Sequence, residues 1–137
     1  MQYTEDILER AGMANCKPVS TPVDTKPNSS AQEGSPATNA MLYLSIAVAL
    51  QYLTLTRQDI AYEVNQACLF MHAPSDAHWN LIKRILRYLC GTINDGSHIS
   101  AAPSCDLIAY SDVDWAGCSD TRRSTSGYCV FLGKTLI

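Results

Sequence analysis

The chain contains no uninterrupted apolar run of the roughly 18 residues that a membrane-crossing helix requires, so no helical membrane span is expected. Its N-terminus carries Gln2, Thr4, Glu5 and Asp6 and lacks the basic-then-apolar pattern of a secretory signal. An intracellular location is therefore expected. The six cysteines, Cys16, Cys68, Cys90, Cys105, Cys118 and Cys129, include no Cys-x-x-Cys pair and no histidine at zinc-ligand spacing. That excludes the common zinc motifs. Reduced thiols are expected, several of them buried as small apolar groups. There is no phosphate-binding loop, no Gly-x-Gly-x-x-Gly turn and no nucleophile elbow. Nor is there an excess of positive charge. A net charge of −3 and a pI of about 5.5 exclude a generally basic nucleic-acid binder. Only a local basic face is left for that role.

What is present suffices to fold. The 137 residues are 47% hydrophobic and 17% charged, enough for one core. Residues 1–13 predict a short helix, with Thr4 as a cap and Gly12 as a stop. Residues 14–38 hold Pro18, Pro22, Pro27 and Pro36 among polar residues. Proline removes backbone donors and restricts its predecessor, so an extended linker is expected there. Residues 39–104 predict a helical region. Leu42, Ile46, Ala49, Leu50 and Leu53 recur at helical spacing over 39–54. Thr56-Arg57-Gln58-Asp59 resembles a capping box with Asp in place of Glu. It precedes the stripe Ile60, Val64, Cys68 and Met71. Ser75 is the expected N-cap of a third helix, whose inner side carries Ala77, His78, Leu81, Ile82, Ile85, Tyr88 and Leu89. Asn94-Asp95-Gly96 predicts a turn and His98-Ile99-Ser100 a short strand. Residues 105–137 predict a β-hairpin, with strands at 107–115 and 127–132. The expected fold class is α+β: a small helical layer of about three helices, followed by a C-terminal β-hairpin.

Asp112 and Asp114 are the residues with the clearest chemical potential. Two apart in a strand, they share a face. Paired carboxylates are hard oxygen ligands suited to Mg²⁺, and such ions support phosphodiester hydrolysis. The competing expectation is a pair of surface acids at a strand end. Lys83, Arg84 and Arg87 cluster on the polar side of the third helix, where they either meet phosphates or form a solvated face. Arg122 and Arg123 in the hairpin loop present the same alternatives. His72 and His78 are expected to be structural or exposed, and Trp79 and Trp115 to be core or boundary aromatics.

Ala109-Tyr110-Ser111-Asp112-Val113-Asp114-Trp115-Ala116-Gly117-Cys118, followed by Asp120-Thr121-Arg122-Arg123-Ser124-Thr125-Ser126-Gly127-Tyr128-Cys129-Val130-Phe131-Leu132-Gly133, resembles the start of the ribonuclease H domain in copia-type LTR retrotransposon Pol polyproteins of plants. Cys16-Lys17-Pro18-Val19-Ser20-Thr21-Pro22, Leu50-Gln51-Tyr52-Leu53-Thr54, Asp59-Ile60-Ala61-Tyr62 and the run from His78-Trp79 to Leu89 resemble the family's preceding segments. The resemblance implies a parent that copies RNA into DNA and degrades the RNA of the hybrid. It makes residues 39–104 a reverse transcriptase thumb and connection, and residues 105–137 the opening hairpin of a ribonuclease H-like fold. It makes Asp112 the first ribonuclease H carboxylate and Asp114 its neighbour in the motif. Lys83, Arg84 and Arg87, with Arg122 and Arg123, become contacts to template-primer or RNA–DNA hybrid. The implied cofactor of the intact parent is Mg²⁺ or Mn²⁺, with no tight binding expected here. The implied partners are nucleic acid and the remaining Pol segments, in the cytoplasm (within virus-like particles) or the nucleus, with no membrane. The polymerase's paired aspartates are expected before Met1 and the later ribonuclease H acids after Ile137. The chain alone is accordingly expected to be catalytically silent. The alternatives are part of an active enzyme when joined to those segments, or a non-catalytic nucleic-acid-binding module.

Overall fold

Helix signals in the first two-thirds of the chain and strand alternation in the last third divide it into two units, Met1–Gly96 and Ser97–Ile137. The computed structural model describes residues 2–23, 35–96, 99, 106–116 and 122–137. Helix α1 spans Gln2–Arg10, α2 Ala40–Leu53, α3 Ala61–Cys68 and α4 Asp76–Gly91, with a 3-10 turn at Gln58–Ile60. Strands β1 (Leu107–Asp114), β2 (Thr125–Leu132) and β3 (Thr135–Leu136) form one antiparallel sheet in the order β1-β2-β3.

The helix ends follow local chemistry. Thr4 lies inside α1 and is buried, so it does not cap the start as expected. Gly12 does close the helix: its φ is +67°, and the Met13 N–H donates to Leu8 O at 2.8 Å. A residue with a Cβ is disfavoured in that left-handed position. Asn39 caps α2 by accepting from the Leu42 N–H at 2.9 Å. Ser75 caps α4 through a capping box in which His78 replaces the usual Glu or Gln. The Ser75 N–H donates to His78 Nδ1 at 3.1 Å, and the imidazole stacks on Phe70 with centroids 3.8 Å apart. At the turn after α2 the cap position falls to Arg57 rather than to the expected Thr56. The Thr56 hydroxyl donates to Leu53 O, Arg57 occupies the cap position, and Asp59 is engaged by the Arg57 guanidinium.

The core joins Ile7 and Leu8 of α1 to Ile46, Leu50 and Leu53 of α2, Val64 and Ala67 of α3, and Ile82, Ile85, Leu86 and Leu89 of α4. The N-terminal helix thus shares one core with the three helices expected as a layer, which makes the layer four helices deep in sequence rather than three. Leu86 was not among the expected inner residues, and Leu42, Cys68 and Met71 are only partly buried. Tyr43, absent from the predicted stripe, is fully buried, and its hydroxyl donates to Ala67 O at 2.7 Å. Burial pushes the phenol pKa upward. Tyr43→Phe should lower stability by about 1 kcal/mol, the net worth of one buried hydrogen bond, measured by urea unfolding.

The hairpin is larger than its sequence suggested. β2 begins at Thr125, two residues early, and a further strand, β3, follows the turn at Gly133 and Lys134. Gly133 has φ +60° at the first turn position, where tight hairpins favour glycine. The strand expected at 98–100 and loop residues 117–121 lie outside the described residues. Among the described residues, no helix is long and apolar enough to cross a membrane.

Candidate functional site

Asp112 and Asp114 stand on one face of β1, as their spacing requires. Asp112 pairs with Gly127 and Asp114 with Thr125, at the loop end of the sheet. Both acids are exposed. Gly127 has nothing within 4 Å of where a Cβ would sit, so the surface opposite Asp112 is open. Asp112 Oδ1 accepts from the Val113 N–H at 2.9 Å, which holds the side chain beside its own strand. On the same face, away from the acids, Tyr110 packs edge-on against Phe131 at 6.2 Å. Every residue of β1 is exposed, including Leu107, Ile108, Tyr110 and Val113 on its two faces. A sheet with apolar side chains open on both faces is a surface built to be covered.

As ligands, Asp112 and Asp114 supply hard oxygens of the kind Mg²⁺ takes. They fit as one edge of a cation site. Among the described residues no cluster of three or more Asp, Glu, His or Cys surrounds a common point, and a divalent ion needs several oxygens held in place. Arg122 and Arg123 are exposed in the loop between β1 and β2, with Arg122 at φ 53°.

The basic face of α4 has an employment that its pattern did not reveal. In the segment expected as an extended linker, the described residues 14–23 lie along α4. Arg84 Nε donates to Val23 O at 3.0 Å and Arg84 Nη2 to Thr21 Oγ1 at 3.1 Å. Arg87 Nε donates to Lys17 O at 2.8 Å, and the Val19 N–H donates to Arg87 O at 3.4 Å. Farther along the chain, the Ala37 N–H donates to Pro74 O and the Asp76 N–H to Ser35 O. Two of the three residues proposed for phosphate contact therefore hold a strap to the helix. Lys83 is exposed instead, on the wall of a cavity of about 280 Å³ shared with Asp76, Trp79, Asn39 and Leu42. Trp79 reaches that cavity while leaning on Tyr43, with ring centroids 6.1 Å apart.

A second cluster was missed altogether. Arg57 is 5% exposed and forks onto both oxygens of Asp59, at 3.0 and 2.8 Å. The same guanidinium donates to Thr92 O and Thr92 Oγ1, each at 2.8 Å. The Tyr88 hydroxyl donates to Asp59 Oδ2 at 2.8 Å, and its ring lies under the guanidinium at 5.7 Å. The Arg57 hydrogen bond holds the Asp59 carboxyl below the usual carboxylate range, against the opposing effect of burial. The Asp59 hydrogen bond raises the Tyr88 phenol. This cluster is structural: α4 has no basic residue in its last turn, and Arg57 supplies the cation that its C-terminal carbonyls favour. No spacing rule links Arg57 to Thr92, which lies 35 positions away.

Compared with known proteins, the chain is 50% identical over 136 residues to an uncharacterized mitochondrial protein of Arabidopsis thaliana, covering 99% of this chain and 56% of that protein. It is 45% identical over 132 residues to the retrovirus-related Pol polyprotein from transposon RE2 and 46% identical over 132 residues to that from transposon RE1, both of the same plant. Each of those matches covers 96% of this chain. The chain belongs to the retrotransposon Pol polyproteins. It spans about half the length of the mitochondrial relative and 9% of each polyprotein. No family model and no solved structure matches the chain.

Proposed function

We propose that this Pol segment joins the polymerase and ribonuclease H parts of a copia-type polyprotein. Residues 39–104 serve as a thumb and connection, and residues 105–137 open a ribonuclease H-like fold. The observation that carries this reading is the placement of Asp112 and Asp114 side by side at the loop end of β1, opposite Gly127. Asp112, with Asp114 beside it, would hold one edge of a Mg²⁺ or Mn²⁺ ion. Such an ion supplies an activated water and charge stabilisation for cleavage of the RNA strand. The chain's own contribution is positional. The β1–β2 ladder fixes both carboxylates on one face, and the Val113 N–H orients the first. The exposed apolar faces of the sheet are the surface on which the rest of that domain packs.

Because a carboxylate pair does not by itself enclose the metal, the purified chain should not cleave an RNA–DNA hybrid with Mg²⁺ or Mn²⁺. Cleavage that disappears in Asp112→Asn would refute that expectation.

The nucleic-acid partner is RNA–DNA hybrid or template-primer, met through Lys83 with Arg122 and Arg123. Arg84 and Arg87 are shared with the strap. Lys83→Glu should weaken hybrid binding and reduce the slope of log affinity against log salt by about one, as expected for one lost phosphate contact. Arg84→Ala with Arg87→Ala should instead speed amide exchange over residues 17–23. An unchanged salt slope in Lys83→Glu, read by fluorescence anisotropy, would remove Lys83 from the interface.

A further inference from the structure

The strap brings two thiols together that are distant in sequence. Cys90, one residue before the end of α4, donates its thiol hydrogen to Cys16 O at 3.5 Å and to Ala14 O at 3.8 Å. Burial, with the Cys90 side chain close by, pushes the Cys16 thiol pKa upward. Both residues are only half-buried and both are free thiols. The contacts around them are specific. Lys17 O is held by Arg87, and the Val19 N–H is held by Arg87 O. Pro18 sits so near Gly91 that a Cβ added there would fall 2.8 Å from the Pro18 Cβ. Real Cβ atoms do not approach carbon that closely, so glycine is what lets the strap reach the helix. The fold therefore brings the Cys90 sulfur against the backbone of Cys16, 74 positions away.

We propose that Cys16 and Cys90 are an oxidation site, and that their disulfide fastens the 14–23 strap to α4. The oxidant is a small-molecule disulfide such as oxidised glutathione. One cysteine thiolate attacks a sulfur of that disulfide, whose S–S bond breaks and releases one small thiol. The second cysteine thiolate attacks the protein-bound sulfur of the mixed disulfide and expels the other small thiol. Two protein thiols lose two electrons and the small disulfide gains them. The thiolate is the nucleophile, and the raised Cys16 thiol makes it scarce at neutral pH. Bond formation accelerates as the pH rises.

The test uses the full chain carrying Cys68→Ala, Cys105→Ser, Cys118→Ser and Cys129→Ser, equilibrated in glutathione buffers from reducing to oxidising, then alkylated and weighed. The expected result is one transition in which both remaining thiols become protected together. The mass falls by about 2 Da, with no glutathione adduct and no dimer. Exchange of the 17–23 amides should slow by roughly tenfold or more on oxidation. Gly91→Ala, by displacing Pro18, should slow closure by roughly tenfold at unchanged pH. Two thiols that stay alkylatable at the oxidising end, or a stable mixed disulfide on either, would overturn the proposal. So would a closure rate unaffected by Gly91→Ala. If the four-fold variant fails to fold, fragment ions of the oxidised natural chain decide the matter. A Cys16–Cys90 link supports the site, and a link from either residue to Cys105, Cys118 or Cys129 refutes it.

Discussion

Asp112→Asn, placed in a Pol chain that carries the adjoining segments, should lower hydrolysis of the RNA strand of a hybrid by about 10²–10³-fold or more. The amide keeps the shape of the side chain and can still accept from the Val113 N–H, which donates to Asp112 Oδ1 at 2.9 Å. What it loses is the negative charge and the hard oxygen that favour a divalent cation. The ladder that pairs residue 112 with Gly127 is made by backbone groups, so the hairpin should persist. Asp114→Asn, two residues nearer the loop, should have the smaller effect. Single-turnover cleavage of a hybrid labelled on its RNA strand separates this loss from weaker binding, because hybrid affinity should change far less than rate. Equal rates for the natural chain and Asp112→Asn would remove Asp112 from the chemistry while leaving the membership in the Pol family untouched.

Arg57→Ala should destabilise the helical unit by about 2–4 kcal/mol. The guanidinium is 5% exposed and is shared among Asp59, Thr92 O and Thr92 Oγ1. Removing it leaves the end of α4 without its cation and leaves the Thr92 carbonyl short of a charged donor. Arg57→Lys should recover only a minor part, since an ammonium cannot fork onto a carboxylate and reach Thr92 as well. The same cluster carries a pH signature. The Arg57 hydrogen bond holds the folded Asp59 pKa below its unfolded value. The unfolded chain therefore binds the proton first as pH falls. The stabilisation is fully present above the ordinary carboxylate range, near about pH 4–5. It is lost progressively as pH falls below that range through the depressed folded value. Asp59→Asn should flatten the acid limb of a stability–pH curve in that window. An acid limb unchanged in Asp59→Asn would assign the pH dependence to other carboxylates.

Local signals carried most of the helix boundaries. Asn39 and Ser75 lie where α2 and α4 begin, and Gly12 lies just after α1, because capping chemistry involves residues only a few positions apart. Ile46, Leu50, Ile82, Ile85 and Leu89 were legible as core from their spacing alone. Leu86 and Tyr43 were not, since a helix gripped by several neighbours buries a wider arc than one stripe. The cap before Gln58 fell to Arg57 rather than Thr56. Asp59 had a stronger partner in Arg57, and Arg57 a second one in Thr92.

The candidate site divides along the same line. A strand puts alternate residues on one side, so Asp112 and Asp114 shared a face as soon as β1 was recognised, and the register opposite Gly127 needed only the hairpin. The sequence by itself determined the Pol relationship, the Ser75 cap, the Gly12 stop and that pair of acids, because each depends on residues close along the chain. Tertiary structure alone decided that residues 14–23 are a strap, that Arg84 and Arg87 are occupied by it, and that Arg57 closes α4. It also brought Cys16 against Cys90. Those outcomes depend on contacts across 35 to 76 positions, where no helical or strand period constrains which residues meet, and only the packing of the core does.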